Sequence, residues 1–294
     1  MDDYLYTAHL DNLDQINVNI QNEAVDSLES GKVIYFPNYT FTPLPNEQAL
    51  LSETILDKRH KNISYDQAHQ RVSGSVTPEL LPLLQTFMQR YADYANELLR
   101  SLLPDYTDKI RLGRTSYRPA EIHGRTSSKR KDDTRLHVDA FSSTPVNGHR
   151  ILRVFCNINP YAEPRVWHLG ESFPNVLKSF VQDIPSFNAT RAKLLKLMKV
   201  TKTLRSPYDH YMLHLHDTMK LDDQYQQNLA KKRVDFPANS TWIVFTDHVS
   251  HAALSGQFVL EQTFYLPVSA MKNPACSPLK LWEKEKNCAL VYRA

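Results

Sequence analysis

Glycine is scarce in this chain: seven in 294 residues, against 17 prolines. That scarcity removes whole classes of chemistry. No Gly-x-x-x-x-Gly-Lys-[Ser/Thr] phosphate loop, no Gly-x-Gly-x-x-Gly dinucleotide fingerprint and no Gly-x-Ser-x-Gly nucleophile elbow is present. Proline without glycine also points to loops with fixed turns rather than floppy linkers. Cysteine is scarcer still. Cys156, Cys276 and Cys288 form an odd, unpatterned set with no Cys-x-x-Cys pair, which excludes a disulfide framework and a zinc ribbon and fits a reducing compartment. Net charge is small, +3 from 35 Lys and Arg against 32 Asp and Glu, which argues against a general nucleic-acid binder. No apolar run is long enough to span a bilayer, and the acidic opening MDDYLYTAHLDNLDQ lacks the apolar core of a signal peptide.

Hydrophobic residues make up 41 % of the chain, enough for a substantial core. Residues 1 to about 30 read as a partly helical lead-in, and 31–37 (GKVIYFP) as a short strand closed by proline. Residues 62–65 read as another extended piece. Residues 78–103 carry Leu84, Phe87, Met88, Tyr91, Leu98 and Leu102 at helical spacing, the pattern of a scaffold helix. Strands follow at 112–117 and 151–159, separated by a polar, basic loop at 124–133. On the second strand Leu152, Val154, Cys156 and Ile158 share one face, while Arg153, Phe155 and Asn157 share the other. Arg165 and Trp167 lie on one side of the next extended piece. Residues 173–199 read as helical with a break near Pro185. The second half reads as an amphipathic helix whose basic composition also permits contact with an anionic membrane. Strands at 241–247 and 257–266 complete the pattern.

Short strands with helices before and between them predict a mainly β, α+β fold with a jelly-roll core. A single domain is expected over 1–294. Residues 1–110 would form a mostly helical part packed on the core, 111–270 the core with inserted helices, and 271–294 a C-terminal tail.

The candidate chemistry centres on RLHVDAF, residues 135–141. His137 and Asp139 are two apart, so on an extended backbone both leave the same face and can grip one metal ion. A distant histidine would complete the 2-His-1-carboxylate triad of non-haem Fe(II) enzymes. His248 and His251 both follow a predicted strand and precede Gly256. Strand-and-turn reasoning prefers His251 and keeps His248 as the alternative. A rival cluster, His210, His214, His216 and Asp217, lacks the Glu of a zinc-protease helix and reads as structural or as a cavity wall.

RLHVDAF, HRILRVFCNINP, EPRVWHLGE, LHDTMK and FPANSTWIVFTDHVSHAALSGQFVLEQTFYLP, with GKVIYFP and KNISYD before them, together resemble the bacterial Kdo 3-hydroxylases over about residues 25 to 270. The resemblance implies a double-stranded β-helix (jelly-roll, cupin-like) core. It makes His137, Asp139 and His251 ligands of Fe(II), with 2-oxoglutarate and O2 as co-substrates and ascorbate as a stimulant. It implies hydroxylation at C3 of the sugar acid Kdo on lipid A, giving Ko with release of succinate and CO2.

Many such oxygenases hold the far carboxylate of 2-oxoglutarate with an Arg about ten residues after the distal histidine. Here Gln257, Glu261 and Gln262 stand in that region instead. The nearest cationic candidate for the 2-oxoglutarate anchor is Arg153, with Asn157 and Gln262 also expected at the co-substrate; the competing reading makes Arg153 a salt-bridge partner at the barrel rim. Arg118, Arg165 and Trp167, with Arg153 shared between the two sets, are expected to meet the anionic sugar. The resemblance further implies a protein on the cytoplasmic face of a Gram-negative inner membrane, in peripheral contact with it. Two other readings compete: the same iron chemistry on another sugar acid or small polar substrate, and a non-catalytic jelly-roll module binding acidic glycans.

Overall fold

The computed structural model describes residues 4–292; the outermost residues of the expected N-terminal part and C-terminal tail lie outside the described residues. The chain opens with β1 (Leu5–Thr7), α1 (Val18–Glu29) and β2 (Val33–Phe36). A hairpin follows, β3 (Ile63–Asp66) and β4 (Arg71–Ser73), then the long helix α2 (Leu81–Leu102) and β5 (Arg111–Arg118). After the polar loop come β6 (Arg150–Asn157), β7 (Arg165–Leu169), α3 (Phe173–Phe180) and α4 (Ala189–Leu197). The helices α5 (Pro207–Leu221) and α6 (Asp223–Asn228) lead into β8 (Lys232–Phe236). The last elements are β9 (Ser240–Phe245), β10 (His251–Ser255), β11 (Val259–Leu266) and α7 (Pro278–Lys286).

Among the described residues the strands form two sheets. The larger runs β1-β2-β9-β6-β11-β5-β3-β4 and the smaller β10-β7-β8. All pairings are antiparallel except β1 with β2. This is the expected sheet-dominated α+β architecture. Within residues 1–110 the helices α1 and α2 outweigh the strands, and β1, β2, β3 and β4 from the same part extend the large sheet at both ends. β1 and β4, of three residues each, carry too little alternation to announce themselves in the sequence.

Side-chain alternation divides the large sheet into a helix-facing side and a cavity-facing side. Cys156 and Leu260 join Phe87, Met88 and Tyr91 of α2 in one buried cluster. The Tyr91 hydroxyl donates to the Val154 carbonyl at 2.9 Å, tying the helix to the centre of the sheet. Truncating a buried aromatic such as Phe87 to Ala would cost about 3–5 kcal/mol. On the other side, Phe155, Trp242 and Val244 pack against Trp167 and Phe236 of the small sheet. The C-terminal stretch is also more than a tail. Trp282 of α7 is fully buried and stacks on Tyr211 of α5, with ring centroids 5.1 Å apart.

Candidate metal centre and its arginine pocket

The His137 segment is extended but belongs to no regular strand. It forms an isolated antiparallel bridge with His251 at the start of β10. The Asp139 N–H donates to the Thr246 carbonyl at 2.7 Å, and the Ala253 N–H donates to Asp133 at the other end of the segment. Both metal-binding stretches are thereby sewn together by backbone. One ligand atom from each of His137, Asp139 and His251 lies within 4.8 Å of the others, and among the described residues this is the one grouping able to hold a metal ion.

The imidazoles are oriented for coordination. Nδ1–H of His137 donates to the Arg135 carbonyl, and Nδ1–H of His251 to the Val249 carbonyl, each at 2.8 Å. A carbonyl only accepts, so each Nδ1 carries the proton and each Nε2 is left bare for a metal. Trp167 stacks on the His251 ring at 5.0 Å and fixes its plane. Burial pushes the pKa of both histidines down, that of His137 well below the ordinary value, so both are neutral ligands. Burial alone would raise Asp139, but Arg153 beside it, 3.1 Å away, holds the carboxyl at about 2. Two neutral imidazoles and one anionic carboxylate suit a divalent iron with open positions.

His248 is not part of this group. Its ring meets the edge of Phe173, and a Cβ added at Gly31 would lie 3.4 Å from it. Burial, then Arg150, pushes its pKa down to about 3, which makes it a neutral core histidine rather than the alternative ligand.

A cavity of about 190 Å³ opens on the triad, lined by Lys61, Arg118, Arg153, Arg165 and Trp167 among others. Strand register explains why the arginines converge. Val259 and Thr263 of β11 pair with Arg118 and Arg153 respectively, so Glu261 between them has both arginines as diagonal neighbours. The Glu261 carboxylate contacts the guanidinium of Arg118 and lies 3.3 Å from that of Arg153. Arg165 approaches from the small sheet and donates to the Gly256 carbonyl at 2.8 Å. Gly256 has φ +107°, and a Cβ there would come within 2.9 Å of the Pro164 carbonyl, so the position admits no side chain. Among the described residues no carboxylate pairs with Arg165, and its Nε has no partner. Burial first, then the neighbouring Arg118 charge, pushes its guanidinium down to about 9. It is a buried cation with no carboxylate in ion-pair contact, supported only from farther off by the charges of Asp133 and Glu121.

Arg118, Arg165 and Trp167, expected at the sugar, thus share one small cavity with Arg153. Asn157 and Gln262 do not reach the cavity. Asn157 donates to the carbonyls of Glu163 and Phe236, both at 3.0 Å, and pins the end of β6. Gln262 points to the other face of β11, where it accepts from the Thr115 hydroxyl at 2.6 Å.

Three further residues stand at the site, and one of them, His216, belongs to the segment expected to be structural or a cavity wall. His216 of α5 sets its ring against His137 at 5.3 Å, with Nδ1–H donating to Asp217. His210 and His214, its companions in the rival cluster, pair with each other elsewhere on the helix, and His210 donates to the Pro185 carbonyl. Lys61 grips Asp133 at 2.9 Å on the cavity rim. Glu261 stands where many such oxygenases carry a basic residue, and its part as the shared anion of two arginines depends on the register of three strands.

Residues 12–288 match the family model of 3-deoxy-D-manno-oct-2-ulosonic acid (Kdo) hydroxylase. The structure is similar to that of the Kdo hydroxylase KdoO, a non-heme Fe(II) α-ketoglutarate-dependent dioxygenase, in complex with cobalt(II). The TM-score is 0.95 at 46 % identity, covering 99 % of this chain and 98 % of that one. KdoO in complex with α-ketoglutarate and Fe(III) gives 0.94 at 45 % identity, covering 99 % and 100 %. KdoO with succinate and Fe(III) gives 0.94 at 46 % identity, covering 99 % and 98 %. No curated protein matches the chain. With the family model spanning nearly the whole sequence and His137, Asp139 and His251 grouped so that they could hold a metal ion, this chain belongs to the Kdo hydroxylase family.

Proposed function

We propose that this protein hydroxylates C3 of Kdo linked to lipid A, using Fe(II), 2-oxoglutarate and O2, and yields Ko, succinate and CO2. The observation that carries the reading is the His137–Asp139–His251 cluster opening onto a cavity with three arginines. When bound, the iron supplies the oxidising chemistry that inserts one oxygen atom into a C–H bond as 2-oxoglutarate is decarboxylated.

The protein's residues prepare that step. Nε2 of His137, a carboxylate oxygen of Asp139 and Nε2 of His251 would hold the iron, each oriented by a partner already in place. Arg165 is the buried cation without a carboxylate, so it would take the far carboxylate of 2-oxoglutarate through a two-pronged contact. Arg118 and Arg153, steered by Glu261, add positive charge on the same side. Trp167 lines the cavity and holds the His251 ring by stacking on it.

The small cavity suits the small diacid, and the sugar would enter from outside it. Two wider grooves flank it, of about 950 and 1060 Å³. The larger is lined by Arg114, Arg118, Arg153, Lys202 and Tyr265, a basic wall fit for an acidic sugar. No helix among the described residues is long and apolar enough to cross a membrane, so a lipid-linked substrate would be met by peripheral contact.

The test is anaerobic loading with Fe(II) and 2-oxoglutarate, then O2 with Kdo-lipid A, following succinate and the mass of the lipid. Succinate coupled to a lipid gaining one oxygen supports the reading. Succinate with unaltered lipid keeps the chemistry and discards the substrate.

A further inference from the structure

α4 lacks the buried face that its sequence pattern implies. Ala192 is its buried residue, while Leu194, Leu197 and Met198 are 52 %, 79 % and 62 % exposed, and Val200 just beyond is 48 % exposed. No other stretch of this length among the described residues exposes four large apolar side chains. Residues 184–208 also contain six basic residues, including Lys193, Lys196 and Lys199, and no Asp or Glu. An apolar cluster ringed by charge of one sign is the mark of an interaction surface, not of ordinary solvated helix.

The segment is anchored despite its exposed surface. The N–H groups of Val200 and Thr201 both donate to the Leu195 carbonyl, and Thr201 is buried. The Lys202 N–H donates to the Ser143 carbonyl at 2.9 Å, and the Arg205 guanidinium to the Ser142 carbonyl at 2.6 Å. Ser143 and Lys202 line the same 1060 Å³ groove whose far wall holds Arg118 and Arg153. The apolar, basic segment therefore sits on the lip of a groove that leads to the metal centre.

We propose that α4 and the turn to Val200 are the surface that seats this protein on an anionic bilayer, with the groove beside Lys202 opening toward the lipid headgroups. The proposal rests on the reading of a lipid-linked substrate. Leu194, Leu197 and Met198 enter the interface, and the surrounding lysines meet negatively charged headgroups. An acidic protein would satisfy the charge, but side chains that project from a short helix need no shaped partner to bury them in lipid.

Co-sedimentation with phosphatidylcholine vesicles, with and without phosphatidylglycerol, tests the surface without any substrate. The wild type binds the anionic vesicles, and salt releases it. Leu194→Ser/Leu197→Ser/Met198→Ser and Lys193→Glu/Lys196→Glu each weaken binding at least about tenfold. Neither variant touches the core, so melting temperature and lipid-free succinate formation stay at wild-type values. Turnover of bilayer-embedded Kdo-lipid falls in parallel with binding. Wild-type binding that ignores phosphatidylglycerol, or variants that sediment like the wild type, overturn the proposal, and capture of an acidic protein alone does the same. If vesicle binding behaves as expected but Kdo-lipid is never hydroxylated, the functional reading fails and the docking surface stands.

Discussion

His137 and His251 face each other as an antiparallel pair, each N–H donating to the other's carbonyl, at 3.0 and 2.9 Å. Directly opposed residues in such a pair send their side chains to the same face of the ladder. The two imidazoles stand with ring centroids 4.6 Å apart on this backbone pairing. Asp139 joins them through its N–H to Thr246.

Two histidines with similar sequence context then behave differently. His251→Ala removes a ligand and abolishes hydroxylation, with a loss of metal affinity exceeding the roughly 10–100-fold typical of losing a ligand's supporting partner. His248→Ala leaves metal affinity intact and lowers stability through the vacated space beside Phe173 and Gly31. Equilibrium dialysis with Co(II) separates the two. Equal metal loss in both variants contradicts the assignment.

Arg165 sits in the cavity without a carboxylate. Arg165→Ala raises the KM for 2-oxoglutarate by the equivalent of about 2–5 kcal/mol, the usual cost of removing one partner from a buried charged pair. Arg165→Lys recovers part of the loss, because an ammonium cannot fork onto a carboxylate. Co(II) binding is unchanged in both. An unaltered KM reduces Arg165 to a structural role at the β10–β11 turn.

Glu261 neutralises Arg118 and Arg153 together. Glu261→Gln leaves two guanidinium groups with diminished compensation and destabilises the fold by at most about 3–5 kcal/mol. An anion in the cavity replaces the missing charge, so 2-oxoglutarate raises the melting temperature of the variant more than that of the wild type. Thermal melts with and without the diacid provide the comparison. Equal shifts argue against a shared electrostatic cavity.

Arg150 and Asp247 form a fully buried ion pair at 2.7 Å beneath the site, with the Arg150 guanidinium over the Phe245 ring. Arg150→Met strands the carboxylate and costs about 3–5 kcal/mol at neutral pH. Burial already raises the Asp247 pKa in the intact pair, despite the opposing pull of Arg150, and the variant raises it further. A raised carboxyl favours the folded state most below its unfolded pKa and loses that contribution as pH climbs through the folded value. The variant's stability deficit is therefore smaller in mild acid than at neutral pH. Denaturant titrations at both pH values measure it, and a deficit that grows on acidification refutes the account.

Much of the site was legible where it depends on near neighbours in the chain. Alternation placed Leu152, Val154 and Cys156 on one face of β6 and Arg153 and Phe155 on the other, and the structure keeps that division. The His-x-Asp spacing gave two members of the cluster that could hold a metal ion, and the same alternation gave Arg165 beside Trp167. Asn157 obeys the β6 alternation but lies one step too far along the strand, where backbone carbonyls claim its side chain. Gln262, expected at the co-substrate from its place in the region after the distal histidine, faces away from the cavity-lining side of Glu261 because adjacent residues on a strand face opposite ways.

The amino-acid sequence by itself determined the periodicities, the His-x-Asp pair and the faces of individual strands, because each follows from backbone geometry over a few residues. The sequence favoured His251 over His248 but kept both open, and the bridge between His137 and the start of β10 set His251 opposite His137. Tertiary structure alone decided that Glu261 serves Arg118 and Arg153, through a register spanning three strands. The same holds for His216 beside His137 and for the exposed apolar side chains of α4. Those outcomes depend on how separated elements pack, and no local run of residues encodes what will lie across from it.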